Sequence, residues 1–434
     1  MTVDKATNWQ MRFWAVFGGQ TLSLVGSALT QFVLLWWIAD TTGSVSALAT
    51  AGMAAMLPQA LLGPLGGALA DRHSRRMLMI VADLVSAACM LVLIWLFVSG
   101  RITLWHAYIM MAVRSAMQAL QAPAASASVS MLVPSSFLTR AAGLNQAMQS
   151  MTLIVAAPLG AFAISVMPIG WALGIDVATA LLGIVPLLVW SIPQPRRGGD
   201  SAGAEKTTLW RDLRDGVHLV WSEPGLRRLY CLIGVVVMII MPAFTLVPLL
   251  VKQHFHGGAT QVGLMEGLSG AGMLFGGVLV AAMVPRRHVQ WILFGFAASC
   301  LSISLTALVP TRLFGVGVAW WVIGGITYVF GSAPLTALLQ SMVPHHLQGR
   351  VLALLNSVMG LAAPVGLAFT GPLGEAFGIR GLFAGMGILG ALACLAGFAS
   401  PALLRLAAER AIIKDTPHGE QAVPHRHTGP HESQ

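Results

Sequence analysis

Four ionisable side chains stand inside long apolar runs of this sequence: Asp83, Arg114, Asp176 and Glu266. A charge at the centre of a membrane-spanning helix costs about 2.5–3.5 kcal/mol or more, so such groups face a bundle interior and mark a path for protons or ions. Asp176 and Glu266 each fall about six residues, or about 9 Å, from the nearer end of their run. A carboxyl at that depth takes up a proton when it faces one compartment and releases it when it faces the other, which makes these two the candidates for proton coupling. Glu266 is preferred, because Gly263, Gly267, Gly270 and Gly272 around it permit close helix contact or a cavity wall. Asp176 has a competing reading as a boundary residue hydrated at the membrane surface. Arg114, near mid-depth, does not readily lose its proton and requires an acid or carbonyl partner. Asp83 also lies about 9 Å from the end of its run and is expected to pair with Arg72, Arg75 or Arg114. No nucleophile–base pair, phosphate loop or metal-ligand spacing appears, so neither an enzyme, a cofactor nor a metal site is expected.

A second cluster closes the run Gly63–Ala70, where Asp71, Arg72, Arg75 and Arg76 follow the small residues Gly66 and Gly67. Glycines let a neighbouring helix approach, and the charged end belongs in water or among headgroups. If a later helix starts near Arg350, its N-terminus offers free N–H groups and a partial positive charge that Asp71 can meet. Asp71 is therefore the expected inner lock between two halves. Asp40 and Glu375 fall at the ends of apolar runs and read as solvated, with Asp40 a candidate for an outer gate.

The elements that hold these residues are helices in a bilayer. The chain has 434 residues, 56% hydrophobic and only 9% charged, too little polar surface for a soluble globule. Runs long enough to span a hydrocarbon layer of about 30 Å fall near 12–39, 45–70, 77–98, 103–126, 138–165 and 170–192. A second set falls near 226–251, 260–284, 289–310, 313–340, 351–374 and 380–404. The expected fold is therefore all-α, with twelve transmembrane helices. Of the 25 Lys and Arg, only Arg101, Lys252, Arg312 and Arg380 fall on one side and Arg114 within the layer. The rest sit with the termini, which places both termini in the cytoplasm. Short basic clusters between apolar runs also exclude nucleic acid as a partner. Cys89, Cys231, Cys300 and Cys394 read as buried small hydrophobes.

The chain divides as 1–192, a polar linker 193–225, 226–404 and a tail 405–434. Leu209, Trp210, Leu213, Val217 and Val220 could form a surface amphipathic helix in the linker. The tail carries His418, His425, His427 and His431 among prolines and glycines, and its composition is that of a disordered segment. The two long parts look like copies. Pro123, Pro134, Arg140, Asn145 and Met148 recur as Pro334, Pro344, Arg350, Asn356 and Met359, each 210 or 211 residues later. Gly66-Gly67-Ala68-Leu69 recurs as Gly276-Gly277-Val278-Leu279, but Ala281 stands where Asp71 stood. Two parallel six-helix bundles related by pseudo-two-fold symmetry, with a site between them at mid-depth, form a transporter architecture. Pro123, Pro158, Pro334 and Pro364 are expected to kink the helices that rock.

The turn Gly67-x-x-x-Asp71-Arg72-x-x-Arg75-Arg76 resembles the loop 2–3 signature of the major facilitator superfamily, with Ser74 where a glycine is usual. Arg114-Ser-Ala-Met-Gln118-Ala-x-x-Ala-Pro123-Ala, Leu132-Val133-Pro134 and Arg140-Ala-Ala-Gly-Leu-Asn145 are similar to the branch that contains macrolide-efflux proteins and the enterobactin exporter. Ala157-Pro158-Leu159-Gly160-Ala161 resembles a reduced antiporter signature. The resemblance covers about residues 12–404. It implies a monomeric transporter in the bacterial inner membrane that exports small amphipathic compounds against protons, with Arg114 assisting the coupling. A dedicated siderophore or metabolite exporter and a non-transporting sensor or scaffold are the alternatives. An importer of sugars or peptides would be expected to show more Asn, Gln and charge within its spans.

Overall fold

The structure is a computed structural model that describes residues 9–190, 217–218, 220–283, 287–343 and 345–404, with residues 71, 130, 345–347, 349 and 350 described in backbone only. The linker helix expected at 209–220 and the histidine tail lie almost wholly outside the described residues.

Long helices account for nearly everything described. The first six are α1 (Trp9–Thr42), α2 (Val45–Arg72), α3 (Arg75–Val98), α4 (Leu104–Leu132), α5 (Leu138–Val166) and α6 (Gly174–Val189), the last preceded by a single turn, Ile169–Ala172. Then come α7 (Pro224–Gln253), α8 (Ala259–Met283), α9 (His288–Leu308) and α10 (Phe314–Met342). A final helical stretch, His345–Phe398, is divided at Gly378, whose φ of 69° breaks the helix, into α11 (345–377) and α12 (379–398). Ten helical stretches are long and apolar enough to cross a membrane, the last of them holding both α11 and α12. Among the described long helices, α4 alone falls short, because His106, Arg114, Gln118 and Gln121 interrupt its apolar character.

Local chemistry fixes the ends. Ser44 and Ser74 cap α2 and α3, their hydroxyls accepting from the N–H groups of Ala47 and Met77; Ser74, the departure from the expected turn pattern, therefore starts a helix. Pro224 opens α7, where its missing N–H costs nothing. The helix carrying Arg350 starts at His345, a turn earlier than expected, which moves the free N–H groups off Arg350.

Packing repeats across the chain. Helix α1 packs on α4, α5 and α6, α3 on α4 and α6, and α2 on α4, while α8 and α9 pack on α10, and α7 and α9 on the α11–α12 stretch. The two groups meet crosswise, α2 on α11 and α5 on α8. Those contacts concentrate in the half of the molecule away from the Gly63–Arg76 turn. The end with that turn is called here the basic end, the opposite one the far end. Among the described residues α4 and α5 have no extensive packing against α10 or α11, which leaves the interface loose at the basic end.

Pro123, Pro158, Pro186 and Pro242 inside helices are each met by a glycine on a neighbouring helix. A proline removes the N–H that would bond the carbonyl four residues earlier. Gly66 lies against the freed carbonyl of Ala119 below Pro123, Gly267 against Ile154 and the ring of Pro158, Gly366 against Met238 and Pro242, and Gly19 against Leu182 and Pro186. Only a residue without a side chain lets backbone Cα–H groups approach that oxygen, a weak substitute donor in a layer without water. Pro123, Pro158, Pro334 and Pro364 all lie within continuous helices. In the turn motif the close approach belongs to Gly66; a methyl on Gly67 would meet nothing within 4 Å.

A mid-membrane polar site in the first half

Helices α1, α4 and α6 converge on an ion pair between the middle of α4 and the first turn of α6. Arg114 Nη2 donates to Asp176 Oδ2 at 2.8 Å and to the carbonyl of Ser27 at 3.4 Å, while Ser27 Oγ donates to Asp176 Oδ1 at 3.0 Å. The partner that Arg114 requires is thus both an acid and a carbonyl. Asp176 is 2% exposed, which sets aside its reading as a hydrated boundary residue. Gly26 makes the arrangement possible, since a methyl there would collide with Thr179 on α6.

Two adjoining cavities lie beside this pair, the smaller reaching it through Arg114. The smaller, about 190 Å³, is lined by Gln31, Gln59, Ser86, Met111, Arg114 and Gln118 among others. The larger, about 460 Å³, runs toward the basic end past Phe13, Phe17, Met79, Leu132, Asn145 and Met148. The smaller takes its walls from residues 24–121 and the larger from residues 13–153, all on α1–α5 and none from the second half. Leu24, Ser27, Ala28, Gln118 and Gln121 face both. The side-chain amides of Gln31, Gln59 and Gln118 have no protein hydrogen-bond partner among the described residues and are free for a ligand.

These glutamines are what reading the sequence missed. The signal was present: Arg114, Gln118 and Gln121 follow at i, i+4 and i+7 on α4, and Gln20, Leu24, Ser27 and Gln31 share one face of α1. An excess of amides, expected of a sugar or peptide importer, is confined here to one wall.

Asp83 on α3 is 2% exposed and pairs differently from expectation. Its partners are neutral: Gln121 Nε2 at 2.8 Å, Ser23 Oγ at 3.2 Å and Gln20 Nε2 at 3.2 Å. The arginines are occupied elsewhere. Arg75 donates to the carbonyl of Ala127 and Arg76 to that of Leu188, the latter at the C-terminus of α6, where a cation suits the helix dipole. Arg72 is exposed, and the side chain of Asp71, on which the inner lock was placed, lies outside the described residues.

Glu266 stands apart from both cavities. Leu264, Leu268 and Phe275 of α8 are exposed on the lipid-facing side, and at 100° per residue Glu266 lies on the opposite side, half-buried. It has no hydrogen-bond partner among the described residues. Gly263, Gly267 and Gly270 pack on Ala161, Pro158 and Ile154 of α5, and Gly272 on Val322 of α10, so the glycines serve helix contact on either flank of Glu266.

The far end is latched. Lys252 at the end of α7 bonds both the carbonyl and the carboxylate of Asp40, the latter at 2.8 Å, and Gln253 reaches the carbonyl of Gly43. Ser46 donates to Glu375, and Gly374 packs on Val45. Asp40 and Glu375, read from sequence as solvated, both join the halves. Among the cysteines, Cys89, Cys300 and Cys394 are buried as expected, and Cys231 is exposed on the outer surface.

The sequence pattern of the Major Facilitator Superfamily matches residues 16–366 and again 229–425. Macrolide efflux protein A of Streptococcus pyogenes is 30% identical over 396 residues, covering 91% of this chain and 96% of that protein. Multidrug efflux pump Tap of Mycobacterium bovis is 22% identical over 401 residues, covering 89% and 92%. A solved bacterial homologue of the human lysosomal transporter Spinster, described as inward-facing and unoccupied, superposes with a TM-score of 0.67 at 16% identity over 94% of this chain and 98% of that one. With crosswise bundles, membrane-length helices and these matches, this multi-pass membrane protein belongs to the major facilitator superfamily, a family of transporters and not of enzymes.

Proposed function

We propose that this chain exports small amphipathic compounds in exchange for protons by alternating access, with its termini and basic end in the cytoplasm. The observation that supports it most is the cavity system of the first half, which joins free amides and an apolar wall to a buried acid–arginine pair. Amphipathic molecules need both kinds of wall, and a proton-driven cycle needs an ionisable group that the cavity can reach. Its relatives include efflux proteins named for macrolides and for multiple drugs, which fits the same substrate class. The basic end carries most of the Lys and Arg, the arrangement of cytoplasmic loops. With the basic end in the cytoplasm and the far end latched, this reading makes the conformation the inward-open stage of the cycle.

In this reading Asp176, held by Arg114, and Glu266, unpaired on the inner side of α8, are the proton carriers. A single chain suffices, since the cavities are complete within it. The test is efflux from a pump-deficient bacterium by wild type, Glu266→Gln and Asp176→Asn at matched expression. Each variant is expected to lose at least about tenfold of the proton-driven component. Wild-type efflux by both variants across pH would remove the coupling assignment, and the absence of proton-dependent efflux of any macrolide, dye or amphiphile by the wild type would remove the exporter reading.

A further inference from the structure

We infer that Asp83, acting through Gln121 and Gln20, makes the larger cavity a recognition site for an ammonium group carried on an otherwise neutral amphiphile. The inference deepens the exporter reading and rests on it.

The hydrogen bonds set the polarity of the wall. An ionised carboxylate accepts and never donates, so the groups that reach Asp83 turn their N–H or O–H toward it. Gln121 Nε2 gives one hydrogen to Asp83 Oδ1 at 2.8 Å and the other to Gln20 Oε1 at 3.2 Å. Gln20 Nε2 divides between Asp83 Oδ2 at 3.2 Å and the carbonyl of Gly183 at 3.4 Å. All donors of the cluster are thereby consumed inside the wall. Gln121 Oε1 is left with no protein donor among the described residues, on a residue that lines both cavities. The wall offers an acceptor.

The charge balance points the same way. None of the residues lining the larger cavity is charged. Arg114 is committed to Asp176 and Ser27, and no cation among the described residues pairs with Asp83. One layer behind the amides therefore stands a carboxylate whose field, little screened in this surrounding, favours a ligand that brings a positive charge and a donor. Phe13, Phe17 and Met79 supply the apolar side of the site, and Met adapts to irregular shapes. Asp83 is a positioning residue: it does not line the void itself but fixes which end of each amide does.

The experiment uses the full chain in lipid nanodiscs and a matched probe pair, 4-(1-naphthyl)butylamine and its N-acetyl amide, with binding measured by equilibrium dialysis against empty nanodiscs. Wild type is expected to bind the amine about tenfold or more tighter than the amide. Asp83→Asn lets the amides turn over and Gln121→Met removes the acceptor, so each is expected to bring the ratio within about twofold while amide affinity stays unchanged. A ratio near one in wild type, or a wild-type ratio kept by a folded Gln121→Met chain, overturns the inference even if Asp83→Asn does not fold. Transport into inverted vesicles separates the two readings. Proton-driven movement of both probes without amine preference in binding sinks this inference alone, whereas amine-selective binding without transport of either sinks the exporter reading and leaves the site standing.

Discussion

The Arg114–Asp176 pair is the residue-scale feature with the sharpest energetic consequence. Removing one member leaves the other charged and uncompensated in a wall that is almost dry, at a cost of about 3–5 kcal/mol, while removing both together is far cheaper. Arg114→Met and Asp176→Leu are each expected to lower the unfolding temperature of the detergent-solubilised chain markedly, and the double variant to recover most of the loss. A double variant whose loss equals the sum of the two single losses, read by thermal unfolding, would show that the pair has no such interdependence. All four intramembrane charges were legible in the sequence, because a charge in an apolar run stands out whatever it touches. Their partners were not. Arg114 and Asp176 are 62 residues apart, and only the convergence of α1, α4 and α6 brings them together. Asp83 was assigned to arginines because opposite charges are the default expectation. Gln20 and Gln121 take that place, while Arg75 donates to the Ala127 carbonyl and Arg114 to Asp176.

At the scale of helices, the glycine seats beneath Pro123, Pro158, Pro186 and Pro242 explain how α4, α5, α6 and α7 continue through a residue that breaks their hydrogen bonding. Gly267→Ala would press a methyl to within 2.6 Å of the Pro158 ring, an overpacking cost of about 1–3 kcal/mol. It is expected to destabilise the folded chain, with Pro158→Ala in the same chain restoring part of the loss. Gly66→Ala is likewise expected to destabilise through the Ala119 carbonyl, whereas Gly67→Ala should change stability by no more than about 0.5 kcal/mol; thermal unfolding of the pair checks this. Helix number and type were readable from run length and spacing. The choice between Gly66 and Gly67 was not, because adjacent positions on a helix differ by 100° in direction and only the neighbour decides which one is pressed. The ends of α4 and α6 were also misplaced. α4 continues to Leu132, past Pro123 with its carbonyl seat, and α6 is preceded by a separate turn.

For the whole molecule, the latched far end and open basic end predict which positions water reaches. In a Cys231→Ser background, Thr21→Cys in the larger cavity should react with a water-soluble maleimide at least about tenfold faster than Thr245→Cys, which is buried against Gly52. Comparable rates would mean that the far end opens as readily as the basic end. Lys252→Ala alone should not reverse this order, because an exposed ion pair contributes only about 0–1 kcal/mol; the same labelling measures it. The two-fold relation was visible in the sequence as constant offsets. The closed side was not, since both stages of the cycle use one set of helices and differ in which ends touch. The walls of both cavities come from the first half alone. A chimera joined within the polar linker, carrying this first half on a relative's second half, would therefore keep both cavities intact, so that in this architecture a whole cavity lining can move between relatives by a single recombination rather than by many separate substitutions.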